Sequence, residues 1–178
     1  MARFYPALDS KHRAFIAAQK LFFAATGTAT SRLNLSPKGM DSLRVLTATR
    51  IAWLDLTGSG NETAAHLKHD GRLTLMWCSF DADPLILRAY GRGHAVHRQD
   101  AGWAALRSHF PALPGERQLI VLDIDSVQTS CGYAVPTYTY TLARWAEKKG
   151  PAGLVDYWRE RNQVSIDGLA TGLLEDNP

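Results

Sequence analysis

The stretch Arg50-Ile51-Ala52-Trp53-Leu54-Asp55-Leu56 runs directly into Thr57-Gly58-Ser59-Gly60-Asn61-Glu62-Thr63, and that junction decides the fold. Its first part is rich in branched and aromatic residues of the kind that fill strands. Two glycines then interrupt it, and Ser59 with Glu62 stands at capping-box spacing for a helix from Ser59 to Asp70, closed by Asp70-Gly71. A strand that hands over to a helix through glycines leaves hydroxyls and backbone amides at the helix start, which is a physical recipe for holding an anion. A plain capped helix accounts for the same residues. No Gly-Lys-Ser/Thr follows, so this is not a Walker loop. As a dinucleotide fingerprint it has Thr63 where the third glycine belongs.

Working outward, the upstream runs Leu21 to Ala25, Arg32 to Ser36 and Arg44 to Leu46 read as short strands, separated by Gly27, by Pro37-Lys38-Gly39 and by a Thr47-Ala48-Thr49 turn. Their spacing predicts an antiparallel meander. Downstream, Arg72 to Cys78, Leu85 to His97 and Gln118 to Ser130 read as three longer strands. Helices are expected from Asp9 to Lys20, with Asp9 or Ser10 as cap, and from Asp100 to Phe110, closed by Pro111 and Pro114. Two more, Tyr138 to Lys149 and Pro151 to Asn162, are broken at Gly150-Pro151 and are expected to cover a barrel end or a partner subunit. The predicted fold is mainly β with peripheral helices, a six-stranded antiparallel sheet that escapes bare edges by closing into a barrel. All 178 residues form one domain in this reading, with a core over 21–136 and a helical extension over 137–178.

Composition agrees. A chain that is 46% hydrophobic and 21% charged can hide about 70% of its unfolded surface without staples. No window approaches the ~20 apolar residues of a membrane span, and Met1-Ala2-Arg3-Phe4-Tyr5-Pro6 has no apolar signal core, so a cytoplasmic protein without a membrane partner is expected. The net charge of +3 comes from arginines interleaved with acids, as in Arg44 with Asp41, Arg98 with Asp100 and Arg159 with Glu160. That is a solvated mixed surface rather than a nucleic-acid stripe. Cys78 and Cys131 lie in no Cys-x-x-Cys spacing and are expected as reduced thiols, Cys131 being either a reactive thiol at a strand end or a small buried hydrophobe.

A second polar run, Arg32-Leu33-Asn34-Leu35-Ser36-Pro37-Lys38, puts Arg32, Asn34 and Ser36 on one face of a strand and Leu33 and Leu35 on the other, with Lys38 continuing the polar side. Two cations with an amide and a hydroxyl suit a phosphate, since charged hydrogen bonds are worth about 1.5–3 kcal/mol each. A solvent-facing strand face has the same alternation. His66 and His69 stand at helical spacing without a third ligand, and His94 and His97 fall on opposite strand faces, so no metal site is expected. Haem held through one of the last two is an open alternative.

Taken in order, Arg32…Asn34-Leu35-Ser36-Pro37-Lys38-Gly39, Leu54-Asp55-Leu56-Thr57-Gly58-Ser59-Gly60-Asn61-Glu62-Thr63, Tyr90-Gly91-Arg92-Gly93 and Gln128-Thr129-Ser130-Cys131-Gly132-Tyr133 resemble the pyridoxamine 5'-phosphate oxidase-like family, in its shorter members with the FMN-binding split-barrel fold. The likeness spans roughly Leu21 to Pro136. It implies a homodimer that holds FMN between subunits and carries out a two-electron reaction on a small molecule. Carried over, it places Arg32, Asn34, Ser36, Pro37 and Lys38 at the phosphate, with Gly58, Ser59, Gly60, Asn61 and Thr63 completing the cradle. Asp55, Leu56 and Thr57 would pass beside the isoalloxazine ring. The chain departs from the family's oxidases at Asn61-Glu62-Thr63, where they have an Arg-Lys pair, around Ile86, where they have a flavin-contacting glutamine, and in Leu173 to Pro178, which lacks their closing Arg-Leu-x-Pro. Pyridoxamine phosphate is therefore not the implied substrate. A deazaflavin or haem binder on this fold, and a flavin-storage or interaction module without catalysis, are the alternatives.

Overall fold

The computed structural model describes residues 2–81, 84–133, 135–136, 146–164 and 169–173. Eight strands form one antiparallel sheet among them. Strand β1 (Arg3–Tyr5) precedes helix α1 (Ser10–Ala18), and then come β2 (Leu21–Thr26), β3 (Asn34–Gly39), β4 (Leu43–Val45) and β5 (Arg50–Leu56). Helix α2 (Glu62–His69) leads to β6 (Arg72–Cys78) and β7 (Leu85–Val96), and α3 (Trp103–Arg107) leads to β8 (Glu116–Cys131) and α4 (Ala146–Arg161).

The sheet order is β3-β2-β6-β7-β8-β5-β4, with β1 added on β8. The upstream strands are thus not a meander. They form two hairpins, β2-β3 and β4-β5, which sit at opposite ends of the sheet because β2 pairs with β6 while β5 pairs with β8. Although β3 and β5 are far apart in that order, Lys38 Nζ on β3 lies 3.0 Å from Asp55 Oδ1 on β5. The sheet therefore curls until its two ends meet. The expected run Arg44 to Leu46 is β4, displaced by one residue, and the strand that the sequence reading lacks is β1, three residues long and too short for a period to show.

Inside the curl, Phe22, Trp53 and Trp77 pack with Leu75, Leu87 and Leu122, the Phe22 ring meeting Trp53 edge-on at 5.7 Å. Strands β5 and β8 are buried on both faces, since Leu54, Leu119 and Val121 pack outward against Phe110 and the half-buried Trp103 and Leu106 of α3 and the segment after it. Glycine is required where β7 crosses β8. At the bulge between Tyr90 and Gly91, a β-carbon on Gly91 would sit against the backbone carbonyl of Asp123. Backbone cannot rotate away, so Gly91→Ala should cost about 2 kcal/mol and lower the thermal midpoint by roughly 4–8 °C. An unchanged melting curve would show that the two strands do not approach this closely.

The helices differ from expectation mainly at their ends. Asp9 caps α1 with a reciprocal bond to His12, as the sequence predicts. Helix α2 begins at Glu62 rather than Ser59: its cap residue is Asn61, which makes no side-chain cap bond because its Oδ1 accepts from Gln118 on β8. Helix α3 covers only part of Asp100 to Phe110, since Asp100 instead accepts from the His97 amide and closes a turn before it. Gly150, at φ 69° and ψ 168°, breaks α4 at the expected Gly150-Pro151 step. The expected Tyr138–Lys149 helix falls largely outside the described residues. Cys78 is buried, which pushes its thiol up, whereas Cys131 is exposed and not a small buried hydrophobe. Among the described residues no helix is long and apolar enough to cross a membrane.

Candidate functional site

The meeting of β3 with the β5-to-α2 loop creates a cleft of about 310 Å³. Alternation along β3 supplies one wall: Asn34, Ser36 and Lys38 line the cleft, while Leu33 and Leu35 do not and are 87% and 64% exposed. The strand's polar residues therefore line this cleft, while Leu33 and Leu35 border the adjoining one and stay largely exposed. The loop supplies the other wall through Asp55, Gly58, Ser59, Gly60, Asn61 and Thr63. Pro37 also lines it. Arg32 lines an adjoining cleft of about 520 Å³, which shares Asn34, Ser59 and Gly60 with the first, so the two form one groove. Leu56 and Thr57 do not line it. Thr57 is buried, bonded to the Gly115 carbonyl and to Trp158 Nε1.

The floor is a buried ion cluster that adjacent residues in the sequence do not reveal. Asp55, 1% exposed, accepts from Lys38 Nζ at 3.0 Å, from Arg117 Nη2 at 2.7 Å and from Gln118 Nε2 at 2.9 Å. Burial by itself disfavours the charged carboxylate, but the Lys38 and Arg117 charges together outweigh it and hold the carboxyl well below the usual carboxylate range. Asp55 is thus an ionised anchor and not a proton donor. Glu62 also lines the cleft, so its two cations, Lys38 and Arg117, stand against two carboxylates, of which Asp55 is the one bonded to both. Arg117 also donates to the Gly60 carbonyl at 3.0 Å, and Gln118 to Asn61 Oδ1 at 2.6 Å, so β8 fixes the loop's shape. Sequence reasoning missed Arg117 and Gln118. The available signal was a charged and an amide residue heading the apolar run Leu119-Ile120-Val121-Leu122.

The residue after α4 locks the loop from behind, Asn162 Nδ2 donating to the Gly58 carbonyl at 3.0 Å. Trp158 of α4 packs on the same loop, its Nε1 donating to Thr57 Oγ1.

Two polar atoms of the cleft are buried without a partner, Ser36 Oγ and Asn61 Nδ2, the latter on a side chain that is 2% exposed. Such a group costs about 1–3 kcal/mol when nothing bonds it. A hydroxyl and an amide N–H beside Lys38 and Arg117 are the donor set that an acceptor-rich, negatively charged ligand would satisfy.

Comparison with known proteins agrees with this architecture. The family model for pyridoxamine 5'-phosphate oxidase matches residues 8–131. The pyridoxamine 5'-phosphate oxidase family protein ustO of Aspergillus flavus is 36% identical over 192 residues, which cover 95% of this chain and 77% of that one. Among solved structures, HupZ of Group A Streptococcus superposes with a TM-score of 0.55 at 15% identity, covering 67% of this chain and 91% of that one. A FAD-binding protein of Mesorhizobium loti gives 0.50 at 10% identity, covering 72% and 97%. At such identities the structural likeness establishes the fold, which is the expected split barrel. From α1 to the end of β8 the sequence matches one family, and this chain belongs to the pyridoxamine 5'-phosphate oxidase family.

Proposed function

We propose that the chain binds FMN in this groove and serves as a flavin-dependent oxidoreductase for a small molecule. The observation that carries the reading is the pair of unpartnered donors, Ser36 Oγ and Asn61 Nδ2, in a cleft floored by Lys38 and Arg117. Bound FMN would supply two-electron acceptor chemistry that no side chain possesses. The chain's own part is to grip the phosphate with Ser36, Lys38 and Asn61, to fix the loop through Arg117 and Gln118, and to keep Asp55 ionised beneath it. Arg117 brings from β8 a cation that the run Asn61-Glu62-Thr63 lacks, so the departure from the family's Arg-Lys pair is offset from another strand. A FAD-binding protein of the same fold supports a flavin in general.

A homodimer belongs to the same proposal. Leu33 and Leu35 project from β3, an end strand of the sheet, and the adjoining Leu21, Phe23 and Ala25 of β2 are only partly covered. A second copy would bury this face and wall the groove.

The freshly purified protein is expected to be yellow, or to gain a flavin spectrum and a higher thermal midpoint on adding FMN. Its mass by light scattering should be twice the 19.6 kDa of the chain. A colourless protein that FMN neither colours nor stabilises would contradict the flavin reading, and a Soret band would replace it with haem. A monomer would overturn the dimer alone. Bound flavin that neither reduced pyridine nucleotide nor oxygen alters would favour storage over catalysis.

A further inference from the structure

His66, one turn into α2, lines the Arg32 end of the groove and is 1% exposed. Its Nδ1 lies 3.0 Å from Thr26 Oγ1 on β2, and its Nε2 has no partner. The neighbouring bonds decide which nitrogen carries the proton. Asn34 Nδ2 donates to Thr26 Oγ1 at 3.4 Å and to Thr63 Oγ1 at 3.2 Å, and an amide nitrogen can only donate. If Nδ1 also donated to Thr26, the buried hydroxyl proton of Thr26 and the lone pair of Nε2 would both be left unpaired. If Thr26 accepts from Asn34 and donates to Nδ1, one group alone is left over, the N–H at Nε2. Buried polar groups are satisfied wherever they can be, so the second arrangement holds.

We propose that His66 is a ligand-contacting residue of this groove, set as the Nε2–H tautomer by the chain Asn34 to Thr26 to Nδ1, and that it donates from Nε2 to an acceptor atom of the bound flavin nucleotide. The inference rests on the flavin reading and adds a contact that the phosphate grip does not contain. A buried side chain in a site walled by strand and loop is held in place before any ligand arrives, which is what makes one hydrogen bond effective.

Two substitutions separate this role from a structural one, because an Asn side chain reaches only as far as Nδ1 and a Gln side chain reaches Nε2. His66→Asn keeps the Thr26 bond and loses the donor; His66→Gln keeps the donor and loses the Thr26 bond. Titrated with FMN and followed by flavin fluorescence, His66→Asn should bind about tenfold more weakly than the parent, and His66→Gln should bind nearly as well. A structural role predicts the opposite order, and either that order or equal affinities would overturn the proposal. In the parent protein, ¹⁵N-histidine NMR should show the proton on Nε2 before FMN is added and a downfield shift of that proton at saturation. The proton on Nδ1, or an unmoved Nε2–H signal while fluorescence reports bound FMN, overturns the role of His66 alone. Absence of any FMN binding overturns the flavin reading and the contact with it.

Discussion

Asp55→Asn is expected to destabilise the protein by about 3–5 kcal/mol, because it leaves the Arg117 guanidinium, 3% exposed, without a counter-charge. For a chain of this size that is a fall in thermal midpoint of roughly 10 °C and a large fraction of total stability. Lys38 can relax toward water, since its side chain is 22% exposed, but Arg117 cannot, being tied to the Gly60 carbonyl and enclosed by β8 and the loop. The damage should therefore centre on the 57–61 loop. The same cluster sets a pH dependence. The Asp55 carboxyl is held below its ordinary value of 3.8 in the folded chain, so the folded state binds fewer protons there than the unfolded state. Its contribution is complete above that ordinary value and is lost as pH falls below it toward the depressed folded one. Urea unfolding of the parent between pH 5 and 3 should show stability falling with acid, with the Asp55 share of that slope absent in Asp55→Asn. Parallel slopes, or a variant as stable as the parent, would show that the cluster is not holding the ionised form.

The second large effect concerns the ligand. Lys38→Met removes the ammonium at the cleft and should weaken FMN by about 10–100-fold, the value of a charged hydrogen bond of about 1.5–3 kcal/mol. Riboflavin, which has no phosphate, should be nearly indifferent to it. Because Lys38 also pairs with Asp55, a loss of affinity alone does not separate grip from fold. Ser36→Ala does. Its hydroxyl has no partner in the chain, so removing it should leave the free protein as stable as before, or slightly more so, while FMN binds several-fold more weakly. A Ser36→Ala protein that loses stability, or that binds FMN unchanged, would show that this hydroxyl faces something other than the phosphate.

The sequence made some of this legible and hid the rest for identifiable reasons. Period-two runs located β2, β5, β6, β7 and β8, and the Gly58-Ser59-Gly60 break located the loop, because both signals are local. Strand partners are not local. The pairing of β2 with β6 and of β5 with β8, which turns a meander into a curled sheet, is decided by the core around Phe22, Trp53 and Trp77. The same distance concealed Arg117 and Gln118, which reach Asp55 across more than 60 residues of sequence. Asn61 misled in a related way. Read locally, Ser59 looks like the cap, whereas the Asn61 side chain is drawn away to Gln118 and the helix starts after it. The polar alternation of Arg32 to Lys38 was visible, but the direction in which it faces was not, since Leu33 and Leu35 are turned outward.

The most direct test of the central claim, that the groove between β3 and the β5-to-α2 loop grips the phosphate of FMN, is a paired equilibrium titration of the unmodified protein with FMN and with riboflavin at one salt concentration. The account predicts FMN binding at least about tenfold tighter, the difference shrinking as salt rises, since the Lys38 ammonium and two unpartnered donors await the phosphate. Equal affinities for the two flavins would contradict it.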